Sequence, residues 1–255
     1  MPFQKRLFVL VAACLNACGA LAAGQSAANG ATTEAGKELV VLVDTATEMP
    51  MSRFDHFTIV EGIHKDVGEA LAQGLGKKVR FLALPRKRIT LALEKGEADV
   101  LCGYQPAWLP GKFSWSQPFM TQVEVVLTDR GAVRPPVIGA LASQPIGTVF
   151  GYRYPQLEQQ LEDAFVRADA PSVELNLAKL AAGRLHHMSA IQSWFDFRQR
   201  HGVVRVALHP PLVIATHQTR CALSLHSRIS PRELDRALQK LVVDGTMGAI
   251  EARYR

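Results

Sequence analysis

The chain of 255 residues is poor in several things, and each shortage excludes something. It has four cysteines, and Cys14 and Cys18 lie near its start, so no dense disulfide scaffold is readable. The histidines show no HxxxH or HxH spacing. His186 and His187 are adjacent, and neighbours on a strand point to opposite faces, so this pair is a poor chelate and no metal is read. Past the first residues, no uninterrupted apolar run approaches the roughly 20 residues a membrane helix needs. The net charge of +6 is mild. The basic clusters at 86–88 and 198–200 are short and read as solvated faces. A nucleic-acid surface would want a basic stripe with interleaved aromatics, so no nucleic acid is expected. A mild preference for anionic ligands stays open.

What is present begins with an export signal. Lys5 and Arg6 precede an apolar stretch at 7–13, and Ala20-Leu21-Ala22 forms a small-residue cleavage site before Ala23. Residues 1–22 therefore read as a signal peptide, and 23–37 as a flexible Gly/Ala/Ser/Thr segment. Val11-Ala12-Ala13-Cys14 also resembles a lipoprotein box, so a free periplasmic chain and a lipid-anchored one are both open. The remaining cysteines, Cys102 and Cys221, either pair in an oxidising periplasm or stay as buried thiols. Hydrophobic residues make up 48% of the chain, enough for a substantial core.

The hydrophobic rhythm is β-α-β. Residues 39–43 read as a buried strand, 63–75 as a helix, 79–84 as a strand, 87–94 as a helix, and 98–101 and 123–127 as strands. A polar stretch with Gly131, Pro135 and Pro136 looks like a boundary. The pattern then restarts with a strand at 146–149, a helix from Pro155 through Phe165, a short helix at 177–182, a strand at 186–190, a helix ending near Gly202 and a strand at 203–208. A strand at 221–225 and two helices close the chain. The first of these helices starts at Ser230-Pro231-Arg232-Glu233, a capping-box sequence.

Five ordered segments carry a resemblance: Glu61 to Val67 (EGIHKDV), Leu91 to Val100 (LALEKGEADV), Phe113 to Phe119 (FSWSQPF), Gly147 to Gly151, and Lys240 to Tyr254 (KLVVDGTMGAIEARY). On these the mature chain resembles extracellular solute-binding protein family 3, the polar amino-acid binders of bacterial ABC importers. The resemblance implies an α/β, two-lobed periplasmic binding protein-like fold of type II, with doubly wound sheets joined by two hinge crossovers. Lobe 1 is expected at 38–128 and 214–255 and lobe 2 at 134–208, with connectors at 129–133 and 209–213. Two family contacts to an α-amino acid are missing. Residues 102–112 hold no Arg to grip a carboxylate, and after Gly183 the position of an amine-binding Asp falls to His186.

If the lobes close as the resemblance implies, loops at strand ends line the cleft. Glu48 and Met51 follow the first strand. Tyr104, Gln105 and Trp108 follow the strand at 98–101, with Trp108 able to stack on a flat ligand face. Tyr152 and Arg153 stand at a helix N-terminus suited to an anion. His186 takes the family's contact position. The expected function is capture of a small polar solute, an anionic one included, for an importer. No cofactor, no catalytic residue and a monomer are expected, with an ABC permease or a membrane sensor as partner. The alternatives are a ligand-sensing module, or an enzyme resembling cyclohexadienyl dehydratases, for which Glu48 and Glu61 are the carboxylates within reach.

Overall fold

The computed structural model describes residues 36–255. The signal read at 1–22, Cys14 and nearly all of the segment read at 23–37 lie outside the described residues. Within them the chain runs β1 (Glu38–Asp44), the hairpin β2 (Arg53–Asp55) and β3 (Thr58–Glu61), α1 (Ile63–Gly74), β4 (Lys78–Leu84), α2 (Arg86–Glu94), β5 (Val100–Tyr104) and a short β6 (Ser114–Trp115). Next come β7 (Met120–Thr128), β8 (Pro145–Val149), α3 (Pro155–Leu161), β9 (Val166–Ala170), α4 (Val173–Ala181), β10 (His187–Ile191) and α5 (Gln192–Arg200). The chain closes with β11 (Leu212–Leu223), α6 (Pro231–Val243) and α7 (Thr246–Arg253). Among the described residues no helix is long and apolar enough to cross a membrane.

The main sheet has the order β4-β1-β5-β11-β7-β10-β8-β9, with β6 attached to β11. β1 lies in parallel between β4 and β5, and β8 lies in parallel between β9 and β10. Each end of the sheet is thus the same parallel unit with its first strand in the middle. The antiparallel pair β7 and β11 joins the two ends. Lobe 1 packs Leu39, Val41, Leu71 and Val100 against Leu234 and Leu238 of α6 on one face, and Leu42 and Leu101 against Ile89 and Leu93 of α2 on the other. Lobe 2 repeats this plan, with Leu127, Leu177, Met188 and Trp194 on one side of its strands and Val126, Ile146 and Leu157 on the other. Helices on both faces explain why β1 and β8 are apolar along most of their length.

The crossovers lie elsewhere than at 129–133 and 209–213. Met120 packs with α1 of lobe 1, while Val125 and Leu127 on the same strand sit in the lobe 2 core. On β11, Ile214 belongs to lobe 2 and Cys221 to lobe 1. The Phe119 amide donates to the Thr219 carbonyl (3.1 Å) where the two strands enter lobe 1. The hinge is therefore the middle of two continuous strands. Proline and glycine mark a turn inside lobe 2 instead, where Asp129 bridges Leu208.

Two other readings change. Residues 203–208 form no strand, and only Leu208 makes an isolated bridge, to Asp129. Val203, Val204, Val206 and Leu208 still pack on the lobe 2 core. The helix from Pro155 stops at Leu161, where Glu162 takes a positive φ of 46°, and Phe165 leads into β9. The capping box at Ser230 forms as read: its Oγ accepts from the Glu233 amide, and Glu233 accepts from the Ser230 amide (2.9 Å). Cys102 and Cys221 are facing partners on β5 and β11 and form a disulfide.

Candidate functional site

The carboxyl ends of β1, β5, β8 and β10 converge on one cleft between the lobes, where open α/β sheets hold their ligands. The cleft encloses a cavity of about 130 Å³. After β1 it takes Thr47, Glu48 and Met51. Around β5 it takes Tyr104 and Trp108. After β8 it takes Tyr152 and Arg153, and at and beyond the end of β10 Ile191 and Trp194. Gln122 and Glu124 reach it from the hinge strand β7. Both are buried, two residues apart, and so share one face of the strand.

The floor is a buried ionic cluster. Asp44, at the end of β1, is fully buried. Its Oδ1 accepts from the Ala46 amide (2.9 Å), and its Oδ2 accepts from the Tyr104 hydroxyl (3.0 Å). Burial pushes its carboxyl up, while the Ala46 amide and Arg86 draw it down. Arg86, the first residue of α2, lies with Nη1 4.0 Å from Asp44 and a side chain only 9% exposed. Its guanidinium stands 4.8 Å from the Tyr104 ring centre and 5.2 Å from that of Tyr152. Nη2 donates to the Trp108 carbonyl and Nε to the Gly151 carbonyl of lobe 2 (3.4 Å). Burial raises the Tyr104 and Tyr152 hydroxyls above the usual phenol range, which keeps both as neutral donors.

Among the described residues, two buried atoms on cleft side chains have no hydrogen-bond partner: Arg86 Nη1 and His64 Nε2. His64 sits in the first turn of α1, its Nδ1 3.1 Å from the Ser52 hydroxyl. Burial pushes its imidazole down to about 4, so it is neutral at ordinary pH. Gly62, just before α1, has a positive φ, and a Cβ there would lie 2.5 Å from the Met51 carbonyl oxygen. Only glycine lets the chain turn between Met51 and His64 at this wall.

Glu48 spans the cleft. Its Oε2 accepts from Trp194 Nε1 (2.8 Å) and its Oε1 from the Glu174 amide in the first turn of α4 (3.3 Å), where the helix dipole favours a carboxylate. Arg198 of α5 lies 3.8 Å away and also pairs with Glu174 (2.9 Å).

Six of the eight residues expected at the site line the cleft: Glu48, Met51, Tyr104, Trp108, Tyr152 and Arg153. Arg153 is an exposed residue bound to Glu158 (2.9 Å), whose carboxyl it holds below the usual range. Gln105 stands behind the wall, with Nε2 2.9 Å from His217 Nδ1. His186 is outside the cleft, with an exposed side chain paired to Asp129 (2.7 Å). It precedes β10, whereas the cleft takes residues at the strand's other end. Glu61 pairs with Arg53 at the surface (2.8 Å), and Glu48 is held by lobe 2, so neither carboxylate considered for an enzyme is unengaged in the cleft. The cluster at 86–88 is not all solvated, since Arg86 turns inward.

No family model matches the chain, and no curated protein matches it in sequence. Solved structures do. An ancestral arginine-binding protein bound to arginine superposes with a TM-score of 0.71 at 18% identity, over 86% of this chain and 98% of the other. An amino acid ABC transporter substrate-binding protein from Streptococcus pneumoniae, bound to L-arginine, gives 0.68 at 19% identity, over 88% and 95%. An ancestral amino acid-binding protein, a precursor of cyclohexadienyl dehydratase, gives 0.70 at 18% identity, over 86% and 95%. The chain therefore has the two-lobed α/β fold of type II periplasmic binding proteins.

Proposed function

We propose that this protein captures a small polar solute between its lobes and delivers it to an ABC importer, working in the periplasm after export. The observation that carries the reading is the convergence of four strand ends from two lobes on one cleft, with Glu48 and Arg86 each reaching across it. Two lobes on a two-stranded hinge can open to admit a solute and close to hold it. The binding proteins with this fold add support, several of them bound to amino acids. The anionic character considered from the sequence gains no support, because both cleft arginines already face carboxylates. A thermal-shift screen tests the reading, since a captured solute stabilises the folded state by mass action. A shift with one polar solute class is the expected result, and no shift across a broad metabolite set rejects it. Mass spectrometry of the mature N-terminus tests the location. A start at Ala23 fits a free periplasmic protein, a lipid-modified Cys14 a tethered one, and an intact Met1 rejects export.

A further inference from the structure

Glu48 belongs to lobe 1, but its side chain is held by lobe 2. Its backbone place is fixed first. The Glu48 carbonyl accepts from the amides of Met51 (2.9 Å) and Ser52 (3.2 Å), and the Thr47 amide and hydroxyl both donate to the Asp44 carbonyl (3.1 and 2.7 Å). The segment between β1 and β2 is thus bonded to itself, and the Glu48 side chain leaves it toward the other lobe. There each carboxylate oxygen meets a group that can only donate. Oε2 takes the Trp194 indole N–H (2.8 Å), and Oε1 takes the Glu174 amide (3.3 Å). Two helices of lobe 2 therefore close on one carboxylate. The receiving groups are also tied to each other. Arg198, one turn on from Trp194, has its guanidinium 5.7 Å from the indole ring centre and pairs with Glu174 (2.9 Å). By contrast, Arg86 crosses with one long hydrogen bond, to Gly151 (3.4 Å), and Arg200 with one at the exposed edge, to the Tyr254 carbonyl (2.9 Å).

We propose that Glu48 is a latch between the lobes, a positioning residue that holds the cleft closed through protein groups alone. Without its carboxylate, the buried Trp194 N–H and the helix amide lose their acceptor, and water must reach them. That favours the open arrangement. A solute held only by the closed form binds in proportion to the closed fraction. Glu48 therefore raises affinity without touching the solute, and by one factor for every solute. This effect on affinity deepens the solute-capture reading and rests on it, whereas the latch itself needs no solute.

Small-angle scattering and indole hydrogen exchange by NMR test the latch on the wild type, Glu48→Ala and Glu48→Gln. Trp194→Phe identifies the Trp194 signal beside those of Trp108 and Trp115. In the wild type the Trp194 N–H should exchange slowly. In Glu48→Ala it should exchange about tenfold faster or more, with a larger radius of gyration. Glu48→Gln keeps the shape but turns an N–H toward one of the two donors, so it should fall between. Free exchange in the wild type overturns the latch, and so does a Glu48→Ala protein unchanged in either reading. Should Glu48→Ala fail to fold, Glu48→Gln decides by the same two readings. For any two solutes from the metabolite screen, Glu48→Ala should weaken both by the same factor. Unequal factors make Glu48 a solute contact and overturn its positioning role. If the variant opens as expected and no solute binds any form, capture falls and the latch stands.

Discussion

The two walls of the cleft are built from different materials. Lobe 1 brings buried ionisable groups, Asp44, Arg86 and His64, together with the only disulfide among the described residues. Lobe 2 brings Tyr152, Val173, Ser189 and Trp194, and its arginine at the cleft is an exposed one. The same strand order underlies both lobes, so the contrast comes from side chains at equivalent strand ends. One wall is stiffened by a covalent link and buried charge. The other is apolar packing with single polar groups.

The sharpest way to break this contrast is to remove the disulfide. It closes a chain separation of 119 residues, so Cys102→Ala with Cys221→Ala should cost about 4 kcal/mol in urea unfolding. Hydrogen exchange should then quicken in β1 and β5 more than in β8 and β9. Equal loss in both lobes would show that the link does not stiffen lobe 1 in particular. A smaller effect is expected from Arg86→Ala, about 3 kcal/mol, because Asp44 would remain buried with its charge uncompensated. Adding Asp44→Asn to that variant should restore part of the loss. A third test uses pH. The His64 imidazole is depressed to about 4 from an ordinary value of 6.5, so the unfolded chain takes up the proton first. The stability His64 supplies is whole above about pH 6.5 and drains as pH falls toward 4, by roughly 1.4 kcal/mol per pH unit. His64→Gln should flatten the stability curve across that window, and an unchanged slope would contradict the buried neutral ring.

Most of the fold is legible in the sequence because apolar runs and their punctuation are local. The strand from Leu39, the helix from Ile63 and the capping box at Ser230 all stand where their patterns put them. The hinge is not legible, since a strand that changes lobes halfway looks like any other strand. The first part of β11 hides further. Its residues Thr216-His217-Gln218-Thr219 are polar in a row, with no alternation to mark a strand, and the break His209-Pro210-Pro211 before them reads only as a turn. In the site, Glu48, Tyr104 and Trp108 are readable because they end or closely follow strands. Arg86 is not, since its place in a basic triplet suggests solvent, and only the fold shows Asp44 beside it. Glu124 leaves a trace in Thr121-Gln122-Val123-Glu124-Val125, where polar residues alternate within an apolar strand. That alternation marks a strand with one face on something other than a core.

Because β11 returns to lobe 1 only after lobe 2 is complete, the second lobe is nested inside the first. A chain made from its N-terminus has β8, β9, β10, their helices and the first part of β11 in hand before the rest of lobe 1 exists, so lobe 2 is contiguous while lobe 1 is still half-built. Cys102 then waits for a partner that arrives 119 residues later. Its bond to Cys221 cannot form until the chain has run through β7 and nearly all of β11, and α6, which covers the lobe 1 core, comes later still.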